Sequence, residues 1–225
     1  KLTGRKWGNL DVENETGCGI VPYTYKPSNL VNSIQWAVGL ELLLLINDPW
    51  RIFLSTDHPN GACFWRYPEI IQLLMSNDFR LDCMKKLSPI ARERITLPDI
   101  DREYTLYEIA TITSAGPARA LGLTSKGSLG IGADADIVIY EEEKDIAKMF
   151  SHPRYVLKGG EVVIEDGDIR ATPEGREFLV KPSFNPEIEA FLKPKFEDVY
   201  TMSFENYPVE MERIERSEIH ECGKK

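Results

Sequence analysis

The chain has 225 residues, of which 42% are hydrophobic and 28% are charged, and this balance predicts a folded chain while excluding collagen-like and low-complexity classes. Its net charge of −9 argues against nucleic acid as a partner, because phosphate backbones repel an acidic surface. Three histidines and four widely spaced cysteines exclude a locally built zinc finger or cysteine-bound cluster. The longest apolar run, residues 36–46, is too short to span a membrane, and the scattered cysteines are typical of a reducing cytoplasm.

The first part of the chain alternates helix signals with short apolar runs. Ser28 or Asn29 can cap a helix, because their side chains accept hydrogen bonds from the first free backbone N–H groups. We expect this helix to run to about Ile46 and to stop before Pro49. The β-branched and aromatic run at residues 51–57 then predicts a buried strand that ends in polar residues. This succession is typical of a repeated βα fold.

Helix signals continue to about residue 121. A proline at the start of residues 68–75 suits the first turn of a helix over that range. Residues 77–101 form a polar excursion with short helices. Residues 105–108, Thr-Leu-Tyr-Glu, match a capping box, in which the Thr hydroxyl and the Glu carboxylate satisfy two helix-start donors. The helix that the box opens is predicted to end near Ser114, and a second helix to cover residues 117–121.

The pattern changes after residue 126, where glycines are predicted to punctuate short strands. The alternating pattern of residues 136–140 predicts a strand. A β-hairpin is predicted from residues 155–157 and 162–164, because two glycines between them supply the positive φ angles of a tight turn. Beyond residue 173, repeated prolines predict an extended tail with one short helix near residues 187–192.

The candidate catalytic residue is Asp57, at the end of the predicted strand. A carboxylate in that place can bind a divalent cation and can accept a proton from metal-bound water. The alternative is structural, with Asp57 capping the loop that continues through Pro59, Asn60 and Gly61. His58 has two interpretations as well, since it can hold a substrate oxygen or can be an ordinary loop histidine.

Two further patterns receive a structural interpretation. Gly127, Gly130 and Gly132 do not form a dinucleotide fingerprint, because their spacing is wrong and a strand rather than a helix follows them. Asp134 and Asp136 suggest a cation site at first sight. Asp136 opens a predicted strand, however, and turns use aspartate often, so we interpret it as structural.

Five motifs follow one another along the chain: Ser55-Thr56-Asp57-His58-Pro59, Leu106-Tyr107-Glu108-Ile109-Ala110 with Thr113, Gly116-Pro117-Ala118-Arg119-Ala120-Leu121-Gly122-Leu123, Lys126-Gly127-Ser128-Leu129, and Gly132-Ala133-Asp134-Ala135-Asp136-Ile137-Val138. Their order and spacing resemble the carboxyl-terminal third of the amidohydrolase superfamily. Three segments carry a narrower likeness: Gly17-Cys18-Gly19-Ile20-Val21-Pro22, Gln35-Trp36-Ala37-Val38-Gly39-Leu40-Glu41 and Thr56-Asp57-His58-Pro59-Asn60-Gly61. They resemble the A subunits of formylmethanofuran dehydrogenases and of formyltransferase/hydrolase complexes.

The resemblance implies an α/β fold. It assigns residues 1–125 to the last strand and helices of a (β/α)₈ barrel, residues 126–172 to part of a β-sandwich, and residues 173–225 to an extended tail available for subunit contact. It also implies two zinc ions in the complete protein, for which Asp57 is the one ligand that maps onto this chain. Because the chain has no His-x-His pair, we expect it to be a piece of a longer protein and to be inactive alone.

In this interpretation Asp57 binds one zinc ion and accepts the proton of the metal-bound hydroxide. His58 and Asn60 are expected to bind the substrate, which is the coenzyme methanofuran or its N-formyl derivative. The implied reaction condenses formate with methanofuran or hydrolyses N-formylmethanofuran, with the other subunits of a molybdenum- or tungsten-dependent complex as partners. We expect no nucleic-acid or membrane partner, and uncovered apolar helix faces favour self-association of the piece.

Two alternatives stay open at this point. Another amidohydrolase, acting on a cyclic amide, would use the same aspartate for ring opening. A non-catalytic assembly module would retain the domain for docking only.

Overall fold

The computed structural model describes residues 25–56, 58, 62–175, 177–201, 203–206 and 217–222. The α-helices are α1 (Leu30–Leu45), α2 (Tyr67–Met75), α3 (Asn77–Met84), α4 (Pro89–Arg92), α5 (Leu106–Ala110), α6 (Gly116–Ala120), α7 (Ile146–Ser151) and α8 (Ile188–Val199). The strands are β1 (Ile137–Ile139), β2 (Tyr155–Lys158), β3 (Glu161–Glu165), β4 (Asp168–Ile169), β5 (Glu177–Pro182) and β6 (Ser217–Cys222). Shorter turns of 3₁₀ helix lie at Pro49–Arg51, Phe64–Arg66, Leu97–Asp99 and Phe204–Asn206, and a π-helical turn lies at Thr111–Ala115.

Helix α1 confirms the first helix prediction. Its N-cap is Asn29, whose Oδ1 accepts hydrogen bonds from the backbone N–H groups of Val31 and Asn32 at 3.0 and 3.2 Å. The helix ends at Leu45, shortly before the 3₁₀ turn at Pro49–Arg51. The local capping chemistry therefore sets the start of α1, and the helix ends before the proline-initiated turn, as predicted.

Helix α1 is apolar on two sides. Its inner side packs against α2, α4 and the Leu97–Asp99 turn. Its outer side leaves Val31, Leu42 and Leu45 61%, 59% and 60% exposed. The buried core that this inner side joins consists of Ala37, Leu40, Leu44, Ile52, Ile71, Leu73, Leu74, Met84, Leu87, Leu97, Tyr104, Ile109 and Ile112.

The prediction of a strand at residues 51–57 is wrong for the part of it that the structure describes. Arg51 ends a 3₁₀ turn, and residues 52–56 form no strand. The N–H of Leu54 donates instead to the carbonyl of Ile112 in the π-helical turn, at 3.0 Å. A strand needs the backbone of a neighbouring strand as its partner, and here the described neighbour is a helix. Asp57 lies outside the described residues.

The helix predictions between residues 68 and 121 are confirmed with one correction. The capping box at the start of α5 is present: Glu108 Oε2 accepts from the Thr105 N–H at 2.8 Å, and Thr105 Oγ1 accepts from the Glu108 N–H at 3.3 Å. The predicted break between Ser114 and Pro117 is wrong. The π-helical turn carries α5 directly into α6, in which Pro117 occupies one of the first two positions.

The small β part is an antiparallel sheet in the order β1-β2-β3-β4. The predicted hairpin is confirmed as β2 and β3, with Gly159 and Gly160 at φ of 59° and 86° in its turn. The prediction of short strands among the glycines after residue 126 is wrong. Gly127 and Gly132 have φ of 73° and 87°, which strand residues do not adopt, and the segment forms turns. Helix α7 and strand β4 were not predicted.

The segment after residue 173 contains more regular structure than the sequence analysis predicted. Helix α8 extends the expected short helix to Val199 and includes Pro194. Strands β5 and β6 pair in parallel, with Glu177 opposite Ser217 and Pro182 opposite Cys222. No helix among the described residues is long and apolar enough to cross a membrane.

Candidate functional site

The loop that follows Thr56 carries the predicted site residues. The carbonyl of Thr56 accepts a hydrogen bond from the N–H of Ala62 at 2.7 Å, so the chain returns to the point from which the loop starts. Thr56 is buried, which fixes this stem to the protein interior. Asp57 and Asn60 belong to the loop but lie outside the described residues, whereas His58 is described.

His58 is exposed, and one of its ring nitrogens is committed to the loop. Its Nδ1 accepts a hydrogen bond from the backbone N–H of Phe64 at 3.2 Å. A neutral imidazole has one acceptor nitrogen and one N–H, so an accepting Nδ1 places the hydrogen on Nε2. In its neutral form His58 can therefore donate a hydrogen bond from Nε2 to an oxygen atom.

Two aromatic side chains lie beside His58, and neither was predicted from the sequence. The ring centroids of His58 and Phe64 are 5.0 Å apart, those of His58 and Trp65 6.3 Å, and those of Phe64 and Trp65 5.4 Å. All three contacts are edge-to-face. We call these three residues the ring cluster. An aromatic pair directly after a glycine-containing loop was the available sequence signal.

The π-helical turn supports the segment that leads into the loop. It receives the Leu54 N–H at the Ile112 carbonyl, and its Thr111 hydroxyl donates to the Tyr107 carbonyl at 2.8 Å. Phe53 lies so close to Gly116 that a Cβ atom on Gly116 would meet the ring at 3.0 Å. Single π-helical turns occur frequently at functional sites. Here the turn and the start of α6 contact the segment that leads into the loop.

A separate groove of about 1260 Å³ lies between α2, the segment from α5 through the π-helical turn, and the sheet. Trp50, Tyr67, Tyr107 and Tyr140 give it an aromatic lining. The ring cluster does not contribute to that lining. Two carboxylates line the groove, those of Asp136 and Glu142. Asp136 forms ion pairs with Lys126 and Lys158.

Asp136 joins the helical part to the sheet. Lys126 Nζ lies 2.6 Å from both Asp134 Oδ2 and Asp136 Oδ2, and Lys158 Nζ lies 2.6 Å from Asp136 Oδ2. The Gly159 N–H donates to Asp136 Oδ1 at 2.9 Å. Burial raises the pKa of the Asp136 carboxyl, but the hydrogen bonds from the two lysines outweigh it and hold that pKa well below its usual range. This cluster supports the structural interpretation of Asp136.

The described residues do not by themselves match a metal centre. Within them, no three His, Cys, Asp or Glu side chains come together. Nδ1 of the exposed His152 lies 3.2 Å from the Lys148 carbonyl, on its own helix. Cys63 and Cys83 form no disulfide, and burial raises the pKa of the Cys83 thiol, which disfavours the thiolate that metals bind.

Comparisons with known proteins give a consistent result. The sequence profile described as "Amidohydrolase family" matches residues 1–164. Protein FwdA of Methanocaldococcus jannaschii is 46% identical over 92% of this chain, and the A subunit of the formyltransferase/hydrolase complex Fhc of Methylorubrum extorquens is 40% identical over 91% of it. The chain spans only 38% and 37% of the lengths of these two relatives.

A solved structure is similar over most of the chain. It is the crystal structure of the formyltransferase/hydrolase complex FhcABCD from Methylorubrum extorquens in complex with methylofuran. The TM-score is 0.74 and the sequence identity 38%, and the match covers 91% of this chain and 38% of that one.

Proposed function

The chain belongs to the amidohydrolase family, and from this premise we propose that it is the carboxyl-terminal portion of a formyl-transferring A subunit. The observation that carries the proposal is the 40–46% identity to FwdA and to the A subunit of Fhc over more than nine-tenths of the chain. The similar solved structure is a formyltransferase/hydrolase complex that holds methylofuran. The partners in this proposal are the other subunits of such a complex.

The proposed reaction is the hydrolysis of an N-formyl amine or its reverse. Water adds to the formyl carbon, the bond between that carbon and nitrogen breaks, and the products are formate and the free amine. In the reverse direction formate and the methanofuran amine condense with loss of water. Each direction moves one proton between the water oxygen and the amine nitrogen, so a carboxylate that holds this proton serves both.

We assign that proton transfer to Asp57. The assignment rests on the resemblance of its motif, and a neighbouring observation supports it: the hydrogen bond between Thr56 and Ala62 holds the ends of its loop together. The pair of zinc ions belongs to the longer protein in this proposal, because Asp57 is the one ligand that the resemblance assigns to this chain. A partial (β/α)₈ barrel followed by part of a β-sandwich, with boundaries near residues 125 and 172, is the corresponding proposal for the fold.

His58 and Asn60 are proposed to bind the substrate. The donor position at His58 Nε2 supports this role, since the formyl group and formate both offer oxygen acceptors. The 225-residue chain alone is proposed to bind no stoichiometric zinc pair and to be inactive. Tight binding of two zinc ions by the purified chain would overturn that part of the proposal.

The test is the substitution Asp57→Asn in the longer protein, assembled with its partner subunits. Hydrolysis of N-formylmethylofuran, followed by formate release, should fall by about 10²–10⁴-fold, because the amide cannot hold the proton. Asp168→Asn is the matched control: the Asp168 side chain is 73% exposed in β4, and its loss should leave the rate unchanged. An unchanged rate in Asp57→Asn would indicate an assembly module. Activity only on hydantoin- or dihydroorotate-type rings would indicate a cyclic-amide hydrolase.

A further inference from the structure

Residues 52–56 lead directly to the proposed catalytic residue, and contacts with the helical part fix their course. Thr56, the residue before Asp57, is buried, and the side chain of Leu54 packs against the core. The N–H of Leu54 donates to the Ile112 carbonyl at 3.0 Å. Leu54 precedes Asp57 by only three residues, which span at most about 10 Å of extended chain. This hydrogen bond therefore limits where the carboxylate can lie.

The Ile112 carbonyl accepts from Leu54 because the helix around it leaves it without a donor. The N–H of Gly116, four residues after Ile112, donates to the Thr111 carbonyl instead, which is the π-helical pattern. Pro117, five residues after Ile112, has no N–H. Since Ile112 is fully buried, its carbonyl needs a partner within the protein. The Leu54 N–H supplies that partner.

The sequence around the turn favours the π-helical pattern over a regular α-helix. A proline ring inside a helix clashes with the carbonyl four residues earlier, so Pro117 disfavours α-helical geometry just before α6. The hydroxyls of Thr111 and Thr113 donate to the Tyr107 and Ile109 carbonyls at 2.8 and 2.7 Å. Hydroxyl bonds of this kind, to the carbonyl four residues earlier, bend helices. The open carbonyl is thus a consequence of local sequence.

Gly116 completes the arrangement, because the turn leaves no space for a side chain at this position. A Cβ atom on Gly116 would meet the Thr111 carbonyl oxygen at 2.8 Å and the Phe53 ring at 3.0 Å. Such contacts are too short to persist, so either the turn or Phe53 would have to move. Phe53 directly precedes Leu54, and its movement would displace the segment that leads to the catalytic loop.

We propose that Gly116 and Pro117 are positioning residues for the formyl-transfer reaction, and that they act on Asp57 through the Ile112 carbonyl and Leu54. The inference rests on the proposed function. Gly116 and Pro117 do not take part in the chemistry, but they keep a backbone acceptor in the one place that holds the segment before the carboxylate. A displacement of about 1 Å at a reacting group can lower a rate about 100-fold, so a shift of this segment should affect proton transfer more than substrate binding.

The test is the substitution Pro117→Ala in the complete complex. The new N–H completes the regular α-helical pattern, in which the Gly116 N–H takes the Ile112 carbonyl and Leu54 loses its acceptor. The amides of residues 52–56 should then exchange about tenfold faster with solvent deuterium. For N-formylmethylofuran, kcat should fall about tenfold, whereas KM should change about twofold or less.

A second variant and two controls accompany this substitution. Gly116→Ala should produce the same changes with a larger fall in kcat, about 100-fold. Pro89→Ala is the control for Pro117→Ala, because it replaces an exposed proline in the first turn of α4, and it should change neither exchange nor kcat. Gly130→Ala is the control for Gly116→Ala, because its Cβ would meet nothing closer than the Ser128 Oγ at 3.8 Å.

The outcomes separate this inference from the function on which it rests. Faster exchange without a fall in kcat, or a fall in kcat without faster exchange, would overturn the inference and leave formyl hydrolysis intact. A loss expressed mainly in KM would also overturn it. Failure of the Pro117→Ala complex to assemble, detected by size-exclusion chromatography, would assign the turn a structural role only. If the wild-type complex did not hydrolyse N-formylmethylofuran, the proposed function would fail first, and the inference with it.

Discussion

Replacing Arg80 should loosen one defined region of the helical part. Arg80 is fully buried, with 0% of its surface exposed, and its guanidinium has no carboxylate among its hydrogen-bond partners. Nη1 donates to the Leu73 carbonyl at 2.8 Å, and Nη2 donates to the Ile100 and Arg102 carbonyls at 2.9 and 3.0 Å. One side chain thus ties the end of α2 to the segment before α5.

The magnitude follows from the acceptors that would lose their donor. The Arg80→Met substitution removes the hydrogen-bond donor of three backbone carbonyls, and each buried acceptor left unpaired costs about 1–3 kcal/mol. Burial lowers the pKa of Arg80, while the nearby carboxylates Glu103 and Asp101 raise it. Removing a charge that is costly to desolvate therefore recovers part of the loss. We expect a net destabilisation of about 3 kcal/mol.

Hydrogen exchange in the longer protein measures this effect locally. Amides in peptides covering residues 73–104 should exchange about 100-fold faster in Arg80→Met, the factor that corresponds to about 3 kcal/mol in the opening free energy. Arg51→Met is the control, because the side chain of Arg51 is 80% exposed in its ion pair with Asp48. Unchanged or slower exchange in Arg80→Met would refute the reasoning, since desolvation would then outweigh the hydrogen bonds.

Three further substitutions test the turn region after α6 and its junction with the sheet. Asp136→Asn should destabilise the protein by about 2 kcal/mol at pH 7, because Lys126 and Lys158 lose their shared carboxylate. Since the folded-state pKa of Asp136 is lowered, its stabilisation is complete above about pH 4 and declines below it, so thermal unfolding curves of the two proteins should converge in acid and not in base. Gly127→Ala should cost about 3 kcal/mol in urea unfolding, because φ is +73° and the new Cβ would lie 2.8 Å from the Ala118 Cβ. Gly132→Ala, with φ of +87° and no atom within 4 Å, should cost only about 1 kcal/mol, and equal losses would contradict the role of the close contact.

Elements whose signals are local could be predicted from the sequence. The Asn29 cap defines the start of α1, the capping box at Thr105 and Glu108 defines the start of α5, and the two glycines at 159 and 160 define the hairpin. In each case a few adjacent residues satisfy the backbone groups that the element leaves open. Tertiary contacts are not needed to recognise them.

Elements that depend on distant partners could not be predicted in this way. Strands β5 and β6 pair in parallel across about forty residues, and nothing in either segment identifies the other. The apolar run at residues 51–57 has strand composition, but the partner of Leu54 is a helix carbonyl. Composition measures how well a segment suits a strand and says nothing about whether a neighbouring strand exists.

The candidate site combines both kinds of information. Asp57 and His58 could be proposed from a short motif, because the chemistry of a carboxylate and an imidazole is a property of the residues themselves. The ring cluster could not, because it depends on the closure of the loop by Thr56 and Ala62 and on the hydrogen bond from Phe64 to His58.

Since the proposed proton carrier Asp57 and the proposed substrate-binding residues His58 and Asn60 share one loop, substitutions should separate their roles in kinetics. Loss of the carboxylate should reduce kcat for every formamide, because the proton transfer is common to all of them. Loss of the His58 imidazole or of the Asn60 amide should mainly raise KM, because it removes a contact with the substrate and leaves the proton carrier in place.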